Sequence, residues 1–116
     1  MQIPVSEIPY HEAIVSKFSF DFQHNTIEMF FSSEENLLDR DWQLVIKNWK
    51  KGRSKLCSEK KYVYNYLDCL EKKFGIPVEI LFMEYDGPDL NMSVIMYDGE
   101  YVDLRFESPE VEMSYL

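Results

Sequence analysis

Side-chain alternation with a period of two recurs along most of this chain, and it limits the folds open to it. Successive side chains of a strand point to opposite faces, so alternating apolar and polar residues bury one face and leave the other in water. In AIVSKFSFDF the alternation starts at Phe18. Phe18, Phe20 and Phe22 share one side, and Ser19 and Asp21 share the other. TIEMFF follows after the short turn QHN, with Ile27, Met29 and Phe31 on one side, so the pair reads as a hairpin. WQLVIKNW repeats the pattern with Trp42, Leu44 and Ile46, a third strand. VEILFMEY, NMSVIMY and EYVDLRF read as three more. DGPDLN joins the first two of these, and Asp98-Gly99 joins the last two. Asp-Gly predicts a type I′ turn, which needs positive φ at both central residues. In the acidic tail ESPEVEMSYL, Val111, Met113 and Tyr115 alternate, enough for a short edge strand on an otherwise loose segment.

One segment keeps a different period. Val63, Tyr66, Leu67, Leu70 and Phe74 recur at helical spacing, with Lys61, Asn65, Asp68 and Lys72 opposite them. This predicts an amphipathic helix starting near Ser58, closed by Gly75 and barred from continuing by Pro77. Lys72 and Lys73 in its last turn complement the helix dipole. SSEENLLDRD reads as a polar loop with Leu37 and Leu38 as a local anchor, and residues 1–11, with Pro4 and Pro9, as extended or irregular chain. Strands, one helix, then strands is an α+β order. The expected fold is an antiparallel sheet of about five to six strands with one amphipathic helix packed on one face. Helices do not alternate with strands, so a doubly wound fold is excluded.

A chain of 116 residues is one domain's length, and 46% hydrophobic residues supply a core. The start MQIPVSEIPYHE has neither a basic nor an apolar signal-peptide region. The longest apolar runs, Ile80 to Met83 and Val94 to Tyr97, fall far short of the roughly 20 residues of a membrane span. Cys57 and Cys69 show neither metal spacing nor a disulfide framework, which predicts free thiols and a cytoplasmic location.

The net charge of −9 is unevenly spread. Residues 1–46 hold eight acids and two bases, residues 47–73 nine bases and three acids, and residues 74–116 ten acids and one base, Arg105. The basic middle is predicted to balance the acidic flanks in the fold, or to make a bipolar surface whose acidic face meets a basic partner. NWKKGRSKL reads as a mobile basic loop, since clustered like charges repel and Gly52 disfavours a packed element. Lys50, Lys51, Arg53 and Lys55 are expected to hold no buried pair. Trp49 is the exception, expected to pack against Tyr66 and Leu70.

No residue pattern points to catalysis. His11 and Glu12 are adjacent, and neighbours in an extended chain point opposite ways. His24 falls in a turn. Cys57 has lysines nearby, which lower a thiol's pKa, but no partner histidine is implied. Glu84, Asp86 and Asp89 surround a turn without the twelve-residue calcium-loop pattern. No phosphate-binding glycine loop is present. Trp49, Tyr62 and Tyr64 interleave with basic residues as in single-strand nucleic-acid binders, but the pI near 4.6 argues against that use. Neither a metal nor a cofactor is expected.

The segments YHEAIVSKFSFDFQHNTIEMFF and WQLVIKNW resemble the opening of small bacterial immunity proteins of polymorphic toxin systems. His11, Glu12, Phe20, Asp21, Ile27, Leu44, Ile46 and Trp49 are the matching positions, over roughly the first half of the chain. The resemblance implies a small acidic cytoplasmic domain that binds and blocks a protein partner, a toxin of nuclease type, without membrane or direct nucleic-acid contact. A phage-type inhibitor of a host defence nuclease, mimicking DNA, is the alternative, with a small hydrolase behind it. A homo-oligomer stays open. From the charge layout, Glu84, Asp86, Asp89, Asp98, Glu100 and Asp103 are the candidate partner-binding residues. Reversing charge at Asp86 and Asp89 is expected to slow association.

Overall fold

A computed structural model describes residues 3–21, 23–60 and 76–116. They fold as two antiparallel sheets. A 3₁₀ turn, Val5–Glu7, precedes β1 (Ala13–Ile14), β2 (Lys17–Asp21), β3 (Thr26–Phe31), a one-turn helix α1 (Ser33–Asn36) and β4 (Trp42–Lys47). Then come β5 (Gly52–Leu56), β6 (Pro77–Asp86), β7 (Asp89–Met96), β8 (Tyr101–Phe106) and β9 (Glu110–Tyr115). One sheet has the order β1-β6-β7-β8-β5, the other β2-β3-β4-β9.

The period-two segments are strands as expected. Ile27, Met29 and Phe31 of β3, Trp42, Leu44 and Ile46 of β4, Leu90, Met92, Val94 and Met96 of β7, and Val102, Leu104 and Phe106 of β8 are buried in one core that both sheets share. Directly paired Phe31 and Trp42 stack with ring centroids 3.9 Å apart.

Several expectations are corrected. The described residues make nine strands in two sheets where a single sheet of five to six was expected, and they are mostly β. The polar loop SSEENLLDRD contains α1, started by a capping arrangement in which Ser32 Oγ accepts the Glu35 N–H at 3.1 Å. Leu37 and Leu38 anchor nothing and stand exposed. The basic stretch is not a loop, because Gly52–Leu56 is β5, the edge of the larger sheet, paired with β8. Lysine and arginine on an edge strand discourage pairing with another chain, which accounts for charge in that place. The tail is not loose: it forms the expected edge strand as β9, paired with β4 along its whole length. Near Ser58, where a helix was expected to start, the chain makes a turn in which Glu59 N–H donates to the Leu56 carbonyl at 2.9 Å; the rest of the expected helix to Phe74, its capping Gly75 and Cys69 lie outside the described residues.

The β7–β8 hairpin forms, but not on a type I′ turn. Gly99 has φ of 91° while Asp98 keeps a negative φ. Gly99 N–H donates to the Met96 carbonyl, and Met96 N–H to the Glu100 carbonyl, both at 2.9 Å. This is the three-residue loop in which a tight turn is followed by a left-handed glycine. At the other hairpin, Asp86 pairs with Asp89 across Gly87 and Pro88. Gly87 has φ of 60° and Pro88 holds φ negative, the signs of a type II′ turn.

Two connections carry the chain from one sheet to the other side by side. Lys50 N–H donates to the Glu107 carbonyl at 2.9 Å, and Glu107 N–H to the Lys51 carbonyl at 2.8 Å. Lys47 pairs with Glu110 and Gly52 with Phe106, so four residues between β4 and β5 face three between β8 and β9. An unequal count bends a ribbon, as a β-bulge does. Trp49 fills the inside of this corner, 5% exposed. Its ring lies 6.1 Å from Phe20 of the smaller sheet and 5.0 Å from Phe106 of the larger. Its burial is as expected; Tyr66 and Leu70, the partners expected for it, lie outside the described residues.

Candidate functional site

The outer face of the five-stranded sheet gathers the candidate residues. Strand register sets its rows. Ile14 is opposite Glu79, Glu79 opposite Ile95, and Ile95 opposite Tyr101. In the next row Phe82 faces Ser93, Ser93 faces Asp103, and Asp103 faces Lys55. Beyond it Glu84 faces Asn91, and Asn91 faces Arg105. Directly opposite residues point the same way, so each row presents its side chains together.

All six acids chosen from the sequence lie on this sheet or its end turns, but in two different states. Arg105 holds Asp86 at 3.2 Å, Asp89 at 2.8 Å and the Asn91 side-chain oxygen at 3.0 Å. Asp89 also accepts the Ser108 N–H at 3.1 Å, which ties the β6–β7 turn to the corner before β9. Asp103 accepts from Lys55 Nζ at 2.7 Å and from Ser93 Oγ at 2.6 Å. These three acids are part of the fold, and reversing charge at Asp86 and Asp89 would disturb the hairpin before it reported on any partner. Glu84, Asp98 and Glu100 form no ion pair among the described residues. They are exposed to solvent.

Lys55 is thus in an ion pair whose two side chains are largely covered, against the expectation for the basic stretch. Cys57 is also corrected. Burial and the Asp103 carboxylate, 3.1 Å from its sulfur, push its thiol up to about 11, outweighing the nearby Lys55. Burial alone would raise the Asp103 pKa, but the donors Lys55, Ser93 and Cys57 outweigh it and hold the carboxyl below its ordinary range.

The histidines are apart from this face or at its margin. His24 Nδ1 lies 2.7 Å from Asp21 in the β2–β3 turn. His11 and Glu12 sit in a turn rather than in extended chain. Ala13 N–H donates to the Tyr10 carbonyl at 2.9 Å, and Glu12 adopts a left-handed φ of 55°.

That turn and α1 form the walls of an open groove of about 790 Å³. Its lining includes Ile14, Leu37, Leu38, Glu12, Glu35 and Glu79, and among the described residues contains no lysine or arginine. Ile14 and Glu79 belong both to the groove and to the first row of the sheet face, so the two surfaces are continuous. Leu37 is the most exposed large apolar side chain described, at 92%. It sits at the end of α1 with φ of 54° and ψ of 41°, a left-handed position where glycine or asparagine is favoured.

Nine large hydrophobic side chains stand exposed among the described residues. Ile14, Leu37, Leu38, Ile76, Phe82, Tyr97 and Tyr101 lie on this continuous side or at its end; Tyr115 and Leu116 are at the C-terminus. Reading the sequence did not single out Ile14, Glu79, Phe82 or Tyr101 as site residues. The signal available was apolar residues on the polar phase of a strand.

No protein-family model matches the chain, and no curated protein or solved structure matches it either. No group of three or more His, Cys, Asp or Glu residues among the described residues could hold a metal ion. No helix among them is long and apolar enough to cross a membrane.

Proposed function

We propose that this is a binding protein that neutralises a cognate toxin, a nuclease-type effector, by covering it with an acidic, aromatic-bearing surface. One observation carries the reading. On the outer face of the five-stranded sheet and its β7–β8 turn, exposed rings stand among carboxylates that have no cation partner among the described residues. Tyr97 is 80% and Tyr101 54% exposed, Phe82 is exposed on β6 of the same face, and Glu84, Asp98 and Glu100 supply the charge. Of the cations that the register places on this face, Arg105 and Lys55 are held by Asp86, Asp89 and Asp103, and Arg53 stands at its β5 edge. Aromatic side chains supply most of the energy of protein interfaces, and unpaired charge of one sign speeds encounter with a partner of the other sign. A nuclease has to attract phosphate, so its active-site cleft is basic and complements such a face.

The test is a pulldown from the native host followed by an activity assay. The expected outcome is one basic nuclease, recovered in stoichiometric amount and inhibited by the purified protein. Its inhibition should weaken when Glu84, Asp98 and Glu100 are changed together to Gln, and the association rate should then depend less on salt. A nuclease encoded by a toxin gene beside this one supports immunity. A host defence nuclease supports the anti-defence role instead. Recovery of a partner whose activity the protein leaves untouched would remove the inhibitor reading.

A further inference from the structure

The groove beside α1 carries an inference about what the partner presents. It rests on the reading of the protein as a binding protein. We infer that this groove takes an apolar segment of the protein partner flanked by lysine or arginine, and that Leu37 is its apolar anchor.

Three observations support this occupant. The first is charge. Glu12, Glu35 and Glu79 line the groove, with no lysine or arginine among the described residues of its walls. Three carboxylates around one groove favour a cationic occupant and disfavour nucleic acid, whose phosphates they would repel. The second is the apolar content. Ile14, Leu37 and Leu38 give the groove a greasy wall that a simple cation has no use for. A segment carrying both kinds of side chain satisfies both kinds of wall. The third is continuity. The row from Ile14 through Glu79 and Ile95 to Tyr101 leads without a break onto the aromatic face. A partner seated on that face would reach the groove without a second docking event.

Leu37 makes the assignment sharper. Its left-handed backbone is a position where glycine or asparagine would be more stable, and its side chain gains no burial in the free protein. Leucine there works against the fold on both counts. Contact with a partner supplies the burial that the free protein lacks.

The probe is a short amphipathic peptide of lysine and leucine, titrated into isotope-labelled protein and followed by amide NMR shifts. A peptide of the same pattern with glutamate in place of lysine is the control. Shifts are expected to concentrate at Ile14, Asn36, Leu37 and Glu79 with the lysine peptide and to be absent with the glutamate peptide. Leu37→Asn should weaken binding at least about fivefold while the protein stays folded, because asparagine suits the left-handed position. Glu12→Gln combined with Glu79→Gln should weaken binding and flatten its salt dependence. Equal binding of the two peptides, shifts confined to another surface, or unchanged affinity in Leu37→Asn would overturn the inference. Self-association in sedimentation that Leu37→Asn abolishes would do so too, by making a second copy the occupant. Full inhibition of the recovered nuclease by Leu37→Asn would remove the groove's role and leave the inhibitor reading standing. Failure to recover any nuclease would remove that reading, while the peptide titration still decides the groove.

Discussion

The side-chain amide of Asn36 takes the place of a neighbouring strand for Ile14. Its Oδ1 accepts the Ile14 N–H at 2.6 Å, and its Nδ2 donates to the Ile14 carbonyl at 3.0 Å. Ile14 belongs to β1, the edge of the five-stranded sheet, whose other side pairs with β6. An open edge offers unpaired backbone groups to other chains, and Asn36 occupies them. Asn36→Ala should cost about 2–3 kcal/mol in denaturant melts, because it removes three hydrogen bonds, the third to the Ser32 carbonyl, and should speed hydrogen exchange at Ile14. Asn36→Asp keeps the acceptor and loses the donor, so it should fall between. An unchanged exchange rate at Ile14 in Asn36→Ala would show that the clamp does not hold in solution.

Trp49 should be among the costliest side chains to remove. It joins Phe20 and Phe106 across the corner between the sheets. Trp49→Ala is expected to lower stability by about 3 kcal/mol or more. Lys50 and Lys51 are exposed at the same corner and use only their backbone there. Changing both to Ser should alter stability by less than about 0.5 kcal/mol. Melts of the two variants side by side would expose any error in this contrast.

Asp103 gives the fold an acid-sensitive contact. Its folded pKa lies below an aspartate's ordinary 3.8, so it binds its proton more weakly when folded than when unfolded. Its contribution is therefore present above that value and lost as pH falls through the lower, folded one. Asp103→Asn should cost about 1–2 kcal/mol at pH 7, allowing for partial screening of the Lys55 pair by solvent. The gap between wild type and variant should narrow at pH 3 and below. Melts across pH 2–7 check the sign, and a gap that widens in acid would contradict it.

Cys57 should be slow to alkylate despite its exposure. A thiol pushed up to about 11 has little thiolate at pH 8, and the thiolate is the reactive form. Reaction with iodoacetamide at pH 8 should be on the order of 100-fold slower than for a free cysteine. Asp103→Asn should speed it by removing the carboxylate beside the sulfur. A rate matching free cysteine in the wild type would mean that the contact with Asp103 is absent in solution.

Alternation along β3, β4, β7 and β8 was legible because each strand has one wet and one dry face. Apolar residues at every second position can satisfy that requirement in only one way. Trp49 was legible for the same reason, as a large ring too costly to leave among lysines. Strand β5 was not legible. Its inward residues are Gly52 and Ser54, neither of which marks a buried face, and its outward Arg53 and Lys55 look like any solvated stretch. Alternation also says that a face is buried without saying against what. The unequal corner at residues 48–51 and 107–109 sends β5 and β8 into one sheet and β4 and β9 into the other. The candidate acids show the same division. Their sign and number could be counted along the chain. Only the register of β5, β6, β7 and β8 decided that Arg105 would hold Asp86 and Asp89, and Lys55 would hold Asp103, leaving Glu84, Asp98 and Glu100 without a cation partner among the described residues. The groove depended wholly on tertiary structure. Asn36 and Ile14 are 22 residues apart, and no local propensity brings a helix end to a sheet edge at that separation.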